Sequence, residues 1–231
     1  MKKFFALCLA LVLCISVSSA FAAGKLNVVQ ENFHTVPSYS TYSYAYAKVE
    51  NSGDKVIKVN AGVLEIYDDA GEVITSEDYL QAYAEYLQPG EYTYVKMYDE
   101  IEEGAGTPAD YMMTLTGKSD NSAVTKRLPC TSEFKLDVSN GWWENDYMYV
   151  TVTNDTAEPI YDIYVVVALL DSEGNILHLE DHCLYDCAVA PGSTVVIRRE
   201  IYSQYMEYFE ANGLVPASTD AIAYYEVELE D

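Results

Sequence analysis

The stretch Tyr46-Ala47-Lys48-Val49-Glu50-Asn51, followed by a turn, Val56-Ile57 and then Val63-Leu64-Glu65-Ile66-Tyr67-Asp68-Asp69-Ala70-Gly71, is written a second time further along the chain. The second version reads Tyr149-Val150-Thr151-Val152-Thr153-Asn154, a turn, Pro159-Ile160, and Val165-Val166-Val167-Ala168-Leu169-Leu170-Asp171-Ser172-Glu173-Gly174. Asn51 and Asn154, Asp68 and Asp171, and Gly71 and Gly174 share one offset of 103 residues, and Pro89-Gly90 recurs one residue out of register as Pro191-Gly192. A period this long is too large for a solenoid unit and suits a small domain used in tandem.

Within each copy the signals are those of strands and tight turns. Tyr42, Tyr44 and Tyr46 alternate with Ser43, Ala45 and Ala47, a period of two that gives a strand two different faces. Val56 to Tyr67 is rich in branched residues, and Gly62 interrupts its alternation as a bulge would. Asp68 and Gly71 occupy the first and fourth positions that a type I turn prefers, and Pro89-Gly90 is the type II pairing of fixed φ with positive φ. Tyr202 to Ala211 reads as a short helix stopped by Gly213. Short strands punctuated by turns predict an all-β chain of two sandwiches, each with its own core. The expected boundaries are 27–117 for the first and 130–231 for the second. The polar stretch 118–129, with Lys118, Lys126 and Arg127, reads as a linker.

The first residues read as an export signal. Met1-Lys2-Lys3 is basic, Phe4 to Val17 is apolar, and Ser18-Ser19-Ala20-Phe21-Ala22 supplies the small residues that a signal peptidase reads, giving a signal peptide over 1–22. The apolar run is shorter than the roughly 20 residues of a membrane-spanning helix. A lipid anchor would need a small residue before the cysteine, and Leu13 precedes Cys14. The expected location is therefore secreted or at the cell surface, with no membrane span.

Loss of Lys2 and Lys3 takes the formal charge from −24 to −26, with the acid spread along a chain that is half hydrophobic. Such a surface disfavours nucleic acid, whose phosphates need clustered Lys and Arg. Protein or glycan partners remain, and cations suit the charge. Tyrosine appears 22 times against six Phe and two Trp. It suits half-buried strand surfaces, and equally a recognition surface of large area and low entropic cost. The candidate ligand-binding residues are Tyr42, Tyr44 and Tyr46 on one strand and the adjacent Trp142 and Trp143. If both tryptophans lay on a strand, one would face inward.

The segment Leu64-Glu65-Ile66-Tyr67-Asp68-Asp69-Ala70-Gly71, after a strand ending in Asn51, resembles the FxLYD-type domain, a bacterial extracytoplasmic module. Leu64 and Ile66 depart conservatively from its Phe and Leu, and repeat two has Val167, Leu169 and Leu170 in place of Phe, Leu and Tyr. The resemblance implies immunoglobulin-like sandwiches and supplies no catalytic residues.

Other chemistry is thinly represented. His178, Asp181, His182, Cys183, Asp186 and Cys187 are zinc-type donors, but an extended strand spreads them along two faces. The acidic turns at Asp68 and Asp171 offer fewer oxygens than calcium takes. No metal or cofactor is expected. There is no Gly-x-Ser-x-Gly elbow, phosphate loop or His-Glu-x-x-His pair, so no catalytic residues are assigned. The expectation is an exported, non-enzymatic binding module. The alternatives are a glycan-binding module using exposed Trp and Tyr, and a carboxylate-based hydrolase. Cys130, Cys183 and Cys187 leave an odd thiol, with pairing open.

Overall fold

The structure, a computed structural model, describes residues 25–37, 40–139 and 141–229, so the segment read as an export signal lies outside the described residues. The chain is all-β. Its strands are β1 (Leu26–Val36), β2 (Thr41–Asn51), β3 (Ile57–Tyr67), β4 (Val73–Glu77), β5 (Gln81–Ala82), β6 (Tyr86–Leu87), β7 (Tyr92–Ile101) and β8 (Asp110–Ser119) in the first half. The second half contributes β9 (Ala123–Leu128), β10 (Cys130–Ser139), β11 (Glu144–Thr153), β12 (Ile163–Leu170), β13 (Ile176–Leu184), β14 (Thr194–Ile201), helix α1 (Ser203–Ala211) and β15 (Ser218–Glu228).

These strands form four antiparallel sheets, numbered here in stacking order. Sheet I is β4-β3-β6 with β8 also on β3; sheet II is β1-β2-β7-β5; sheet III is β13-β12-β15-β9; sheet IV is β10-β11-β14. The duplication is thus carried into topology. β1-β2-β7 matches β10-β11-β14, and β4-β3-β8 matches β13-β12-β15.

The repeated residues build the same joints twice. Asn51 and Asn154 are both fully buried. The Asn51 side-chain amide donates to the carbonyls of Lys55 and Leu87, and that of Asn154 to the carbonyls of Glu158 and Val189. The backbone N–H groups of Gly90 and Gly192 donate to the carbonyls of Asn51 and Asn154 at 2.8 and 2.7 Å. Each asparagine therefore ties a strand end, the following turn and the Pro-Gly turn together, satisfying backbone groups that burial would otherwise orphan. The carboxylates of Asp68 and Asp171 each accept two backbone N–H groups of their own turn, which Gly71 (φ +80°) and Gly174 (φ +86°) close in the left-handed region.

Three departures from the sequence expectation matter. First, the segment read as a linker contains the end of β8, paired with β3, and the whole of β9, hydrogen-bonded along β15, so the second half begins before residue 130. Its buried Ala123, Thr125 and Leu128 are interleaved with Lys126 and Arg127, and the basic residues hide the strand pattern. Second, the bulge in β3 falls between Val59 and Ala61; Gly62 follows it and leaves room for Met97 Sδ, which a Cβ would meet at 2.9 Å. Third, the halves are not separate bodies. Ala47, Val49 and Val95 pack on Ile57 and Leu87 between sheets I and II, and Val150 and Ile197 pack on Val165 and Leu169 between sheets III and IV. A further apolar cluster joins Tyr46, Tyr83 and Tyr94 of the first half to Val166, Ala168, Leu179, Ile222 and Tyr224 of the second. The helix α1, at the expected place, packs Tyr205 and Phe209 into the core between sheets III and IV.

Candidate functional site

The outer face of sheet II is built by alternation. On β2 and β7 the small and aliphatic side chains Ala45, Ala47, Val95 and Met97 point into the first sandwich, so Tyr44, Tyr46, Lys48, Tyr92, Tyr94 and Lys96 point out, toward sheet III. Sheet III meets them with Val166, Ala168, Asp181, Asp220 and Tyr224.

This contact is both apolar and hydrogen-bonded. Tyr46 donates to His178 Nδ1 at 3.2 Å; the other ring nitrogen of His178 donates to Glu180 at 3.0 Å, since a carboxylate only accepts. Arg199 holds the second oxygen of Glu180 at 2.9 Å. Burial keeps the His178 imidazole below its ordinary value, outweighing the attraction of Glu180. Asp220 accepts from Tyr92 at 2.9 Å and Tyr94 at 2.6 Å, and Lys48 approaches it at 3.3 Å. Those donors hold the Asp220 carboxyl low against its burial. Burial beside Asp220 pushes the Tyr92 hydroxyl up to about 12. Arg127 of β9 donates to the Tyr92 carbonyl and stacks 5.3 Å from its ring. Tyr44 accepts from Tyr205 of α1 at 3.0 Å.

At one margin of this contact the sheets part to leave a cavity of about 520 Å3. Its aromatic lining is Tyr83, Tyr164, Tyr185 and Tyr224, and its acids are Glu85, Asp181 and Glu226. Tyr164 and Tyr224 are cross-strand neighbours stacked at 5.4 Å and 21°, and Tyr185 stands edge-on to Tyr164 at 6.3 Å and 83°. Asp181 accepts from Tyr83 at 2.9 Å and Gln81 at 3.3 Å. Glu85 is paired with Lys58 at 3.1 Å. Burial and the facing Glu85 push the Glu226 carboxyl above its ordinary range.

A second surface lies at the far end of the second half. The β10–β11 hairpin turns through Gly141 (φ +93°) and presents Trp142 and Trp143 at 88% and 72% exposure. Both tryptophans are in the bend and not on a strand, so strand alternation does not send one of them inward, as the sequence suggested.

No family model and no curated protein matches the chain. Among solved structures, red sea bream transglutaminase shows a distant likeness, at 12% identity and a TM-score of 0.21. The alignment covers 92% of this chain, which spans 32% of that protein's length, and a likeness this slight carries no argument about activity.

The structure therefore separates the sequence candidates. Trp142 and Trp143 are exposed together. Tyr46 is buried and bonded between the halves; Tyr44 is half-buried beside it, and only Tyr42, bonded to Glu100 at 3.0 Å, sits toward the rim. The histidine and cysteine donors diverge: His178 serves Tyr46 and Glu180, while Cys183 faces the cleft and Cys187 is exposed. Among the described residues no three His, Cys, Asp or Glu side chains are placed to share a metal ion, and the three described cysteines are unpaired thiols. Sequence reasoning missed the cleft, because its walls come from segments some hundred residues apart. The one available signal was the unbroken apolar run Val165–Leu170, which marks a strand covered on both faces.

Proposed function

We propose that this chain is an exported, non-catalytic recognition protein made of two immunoglobulin-like sandwiches of the FxLYD kind. The matched strand orders of the two halves support the duplicated architecture. The basic start and apolar run of residues 1–22 support export, and among the described residues no helix is long and apolar enough to cross a membrane. The observation that carries the binding role is the paired exposure of Trp142 and Trp143 on a hairpin tip. Tryptophan is highly buried on average, and the exposed ring area of these two gains by being covered.

Two exposed indoles favour a glycan ligand in particular, because a sugar ring lays its C–H face on an indole and leaves its hydroxyls in water. The hydrolase alternative has less support. Of the cleft acids, Asp181 is held by Tyr83 and Gln81, and Glu85 by Lys58.

The test is a glycan array and an envelope-fraction pull-down with the mature protein, beside the Trp142→Ala/Trp143→Ala double variant and a hydrolase screen. Retention of specific glycans or partners, lost in the double variant, supports the reading. Binding that survives removal of both indoles, or hydrolysis abolished by Glu226→Gln, overturns it.

A further inference from the structure

The contact between sheets II and III already shows how this protein holds a positive charge. Lys48 Nζ lies 3.7 Å from the centre of the Tyr92 ring and 5.6 Å from that of Tyr94, with the Asp220 carboxylate 3.3 Å away. Lys58 repeats the arrangement more loosely, 4.9 Å from the Tyr86 ring and 3.1 Å from Glu85. A ring face supplies quadrupole attraction, and a nearby carboxylate supplies the counter-charge.

The cleft of about 520 Å3 assembles the same ingredients, yet no lysine of the described residues lines it. Tyr164 stacked on Tyr224, with Tyr185 edge-on, makes a right-angled aromatic corner. Glu226 stands two residues beyond Tyr224 on β15 and lines the cavity with Glu85 and Asp181; Lys58 is paired with Glu85 at 3.1 Å and Lys96 approaches Asp181 at 4.0 Å. Besides His182, Arg199 is the basic side chain lining the cavity among the described residues, and its guanidinium is spent in two bonds to Glu180. The corner is reachable from solvent, since Tyr185 is 68% exposed.

We propose that this cleft binds an organic ammonium group, held against Tyr164 and Tyr185 with Glu226 as its counter-charge. Glu85 already holds Lys58 at 3.1 Å, so Glu226 is the lining carboxylate that a further cation would serve. Burial first, with Glu85 nearby, holds the Glu226 carboxyl above its ordinary range in spite of Lys58, and a further cation beside it favours its ionised form. The chain's charge of −24 draws cations toward the surface in general, while the aromatic corner selects those with apolar substituents over simple metal ions. This site is independent of the Trp142–Trp143 pair and of the proposal built on it.

The experiment is an NMR titration of the mature protein with tetramethylammonium and with butylammonium, using tert-butanol as the uncharged isostere. Saturable shifts confined to cleft resonances are expected with at least one ammonium and absent with tert-butanol. Glu226→Gln and Tyr185→Ala should each weaken binding by about tenfold, the scale of one partly desolvated cation–π contact. The stronger of the two probes tells whether a primary amine, such as a lysyl side chain, or a quaternary one fits better. The Trp142→Ala/Trp143→Ala variant should bind as the parent does, which separates failure of this site from failure of the tryptophan pair. No saturation with either ammonium, an equal response to tert-butanol, or affinity unchanged in a folded Glu226→Gln protein would overturn the assignment.

Discussion

Strands β3 and β12 occupy the same place in the two repeats and end at the same turn, yet they are composed for different surroundings. In β3 the inward Leu64 and Ile66 alternate with Val63, Glu65 and Tyr67; Val63 is 41% exposed, and Tyr67 donates to Glu65 at 2.8 Å on the outer face of sheet I. In β12 the equivalents of those three are Val166, Ala168 and Leu170, with Val166 and Ala168 fully buried beneath sheet II. The partner sheets differ in the complementary sense. Tyr44 and Tyr46 of sheet II are covered by the second half, whereas their equivalents Tyr147 and Tyr149 in sheet IV take Arg198 and Lys135 across their rings, at 4.4 and 5.0 Å. The two halves thus differ on one face each. The apolar faces of sheets II and III meet, and sheets I and IV end the stack with polar outer faces, as terminal repeats do.

Exchanging the distinguishing residues should break this asymmetry. Ala168→Glu places in β12 the residue that β3 carries at Glu65, in a position without water. A loss of about 3 kcal/mol or more in urea unfolding is expected. The reciprocal Glu65→Ala, on the solvent face, should fall within about 0.5 kcal/mol of the parent. Where the repeats are alike, they should respond alike. Asn51→Ala and Asn154→Ala each take the side-chain donor from one buried carbonyl, that of Leu87 or Val189, and each should cost about 2 kcal/mol, with the pair agreeing to within about 1 kcal/mol. Unequal losses would mean that the joints are not equivalent.

The polar part of the contact has a pH signature. His34 and His178 are both held below the ordinary histidine value of 6.5, chiefly by burial. The unfolded chain takes up those protons first, so stability should fall as the pH drops from about 7 to about 5. His178→Gln should show a shallower slope over that window, from a lower starting stability. Below it, Glu180 and Asp220, both held low in the folded state, add a further loss. The smallest effect is that of one hydroxyl. Tyr46→Phe, which removes the bond to His178, should cost about 1 kcal/mol, and Tyr149→Phe on sheet IV close to nothing.

Local grammar was legible in the sequence, and placement was not. The offset that pairs Asn51 with Asn154 and Gly71 with Gly174 located equivalent strands, turns and sheet orders, because those residues act on backbone within their own repeat. The period-two tyrosines showed that β2 has two faces. They could not show that the aromatic one is covered by a sheet more than a hundred residues away. The apolar run Val165–Leu170 marks a strand covered on both faces, but it does not say which distant segment covers the second face. β9 was hidden by its lysine and arginine, and Trp142 and Trp143 by the assumption that they lay on a strand.

The central claim is that the tyrosine face of sheet II joins the halves into one folding unit. Hydrogen exchange followed by mass spectrometry across a urea series measures the unfolding of each repeat in one sample. The account predicts coincident midpoints for peptides from β2–β7 and from β12–β15, splitting into two when Ala168→Glu is introduced. Two well-separated midpoints in the parent protein would contradict it.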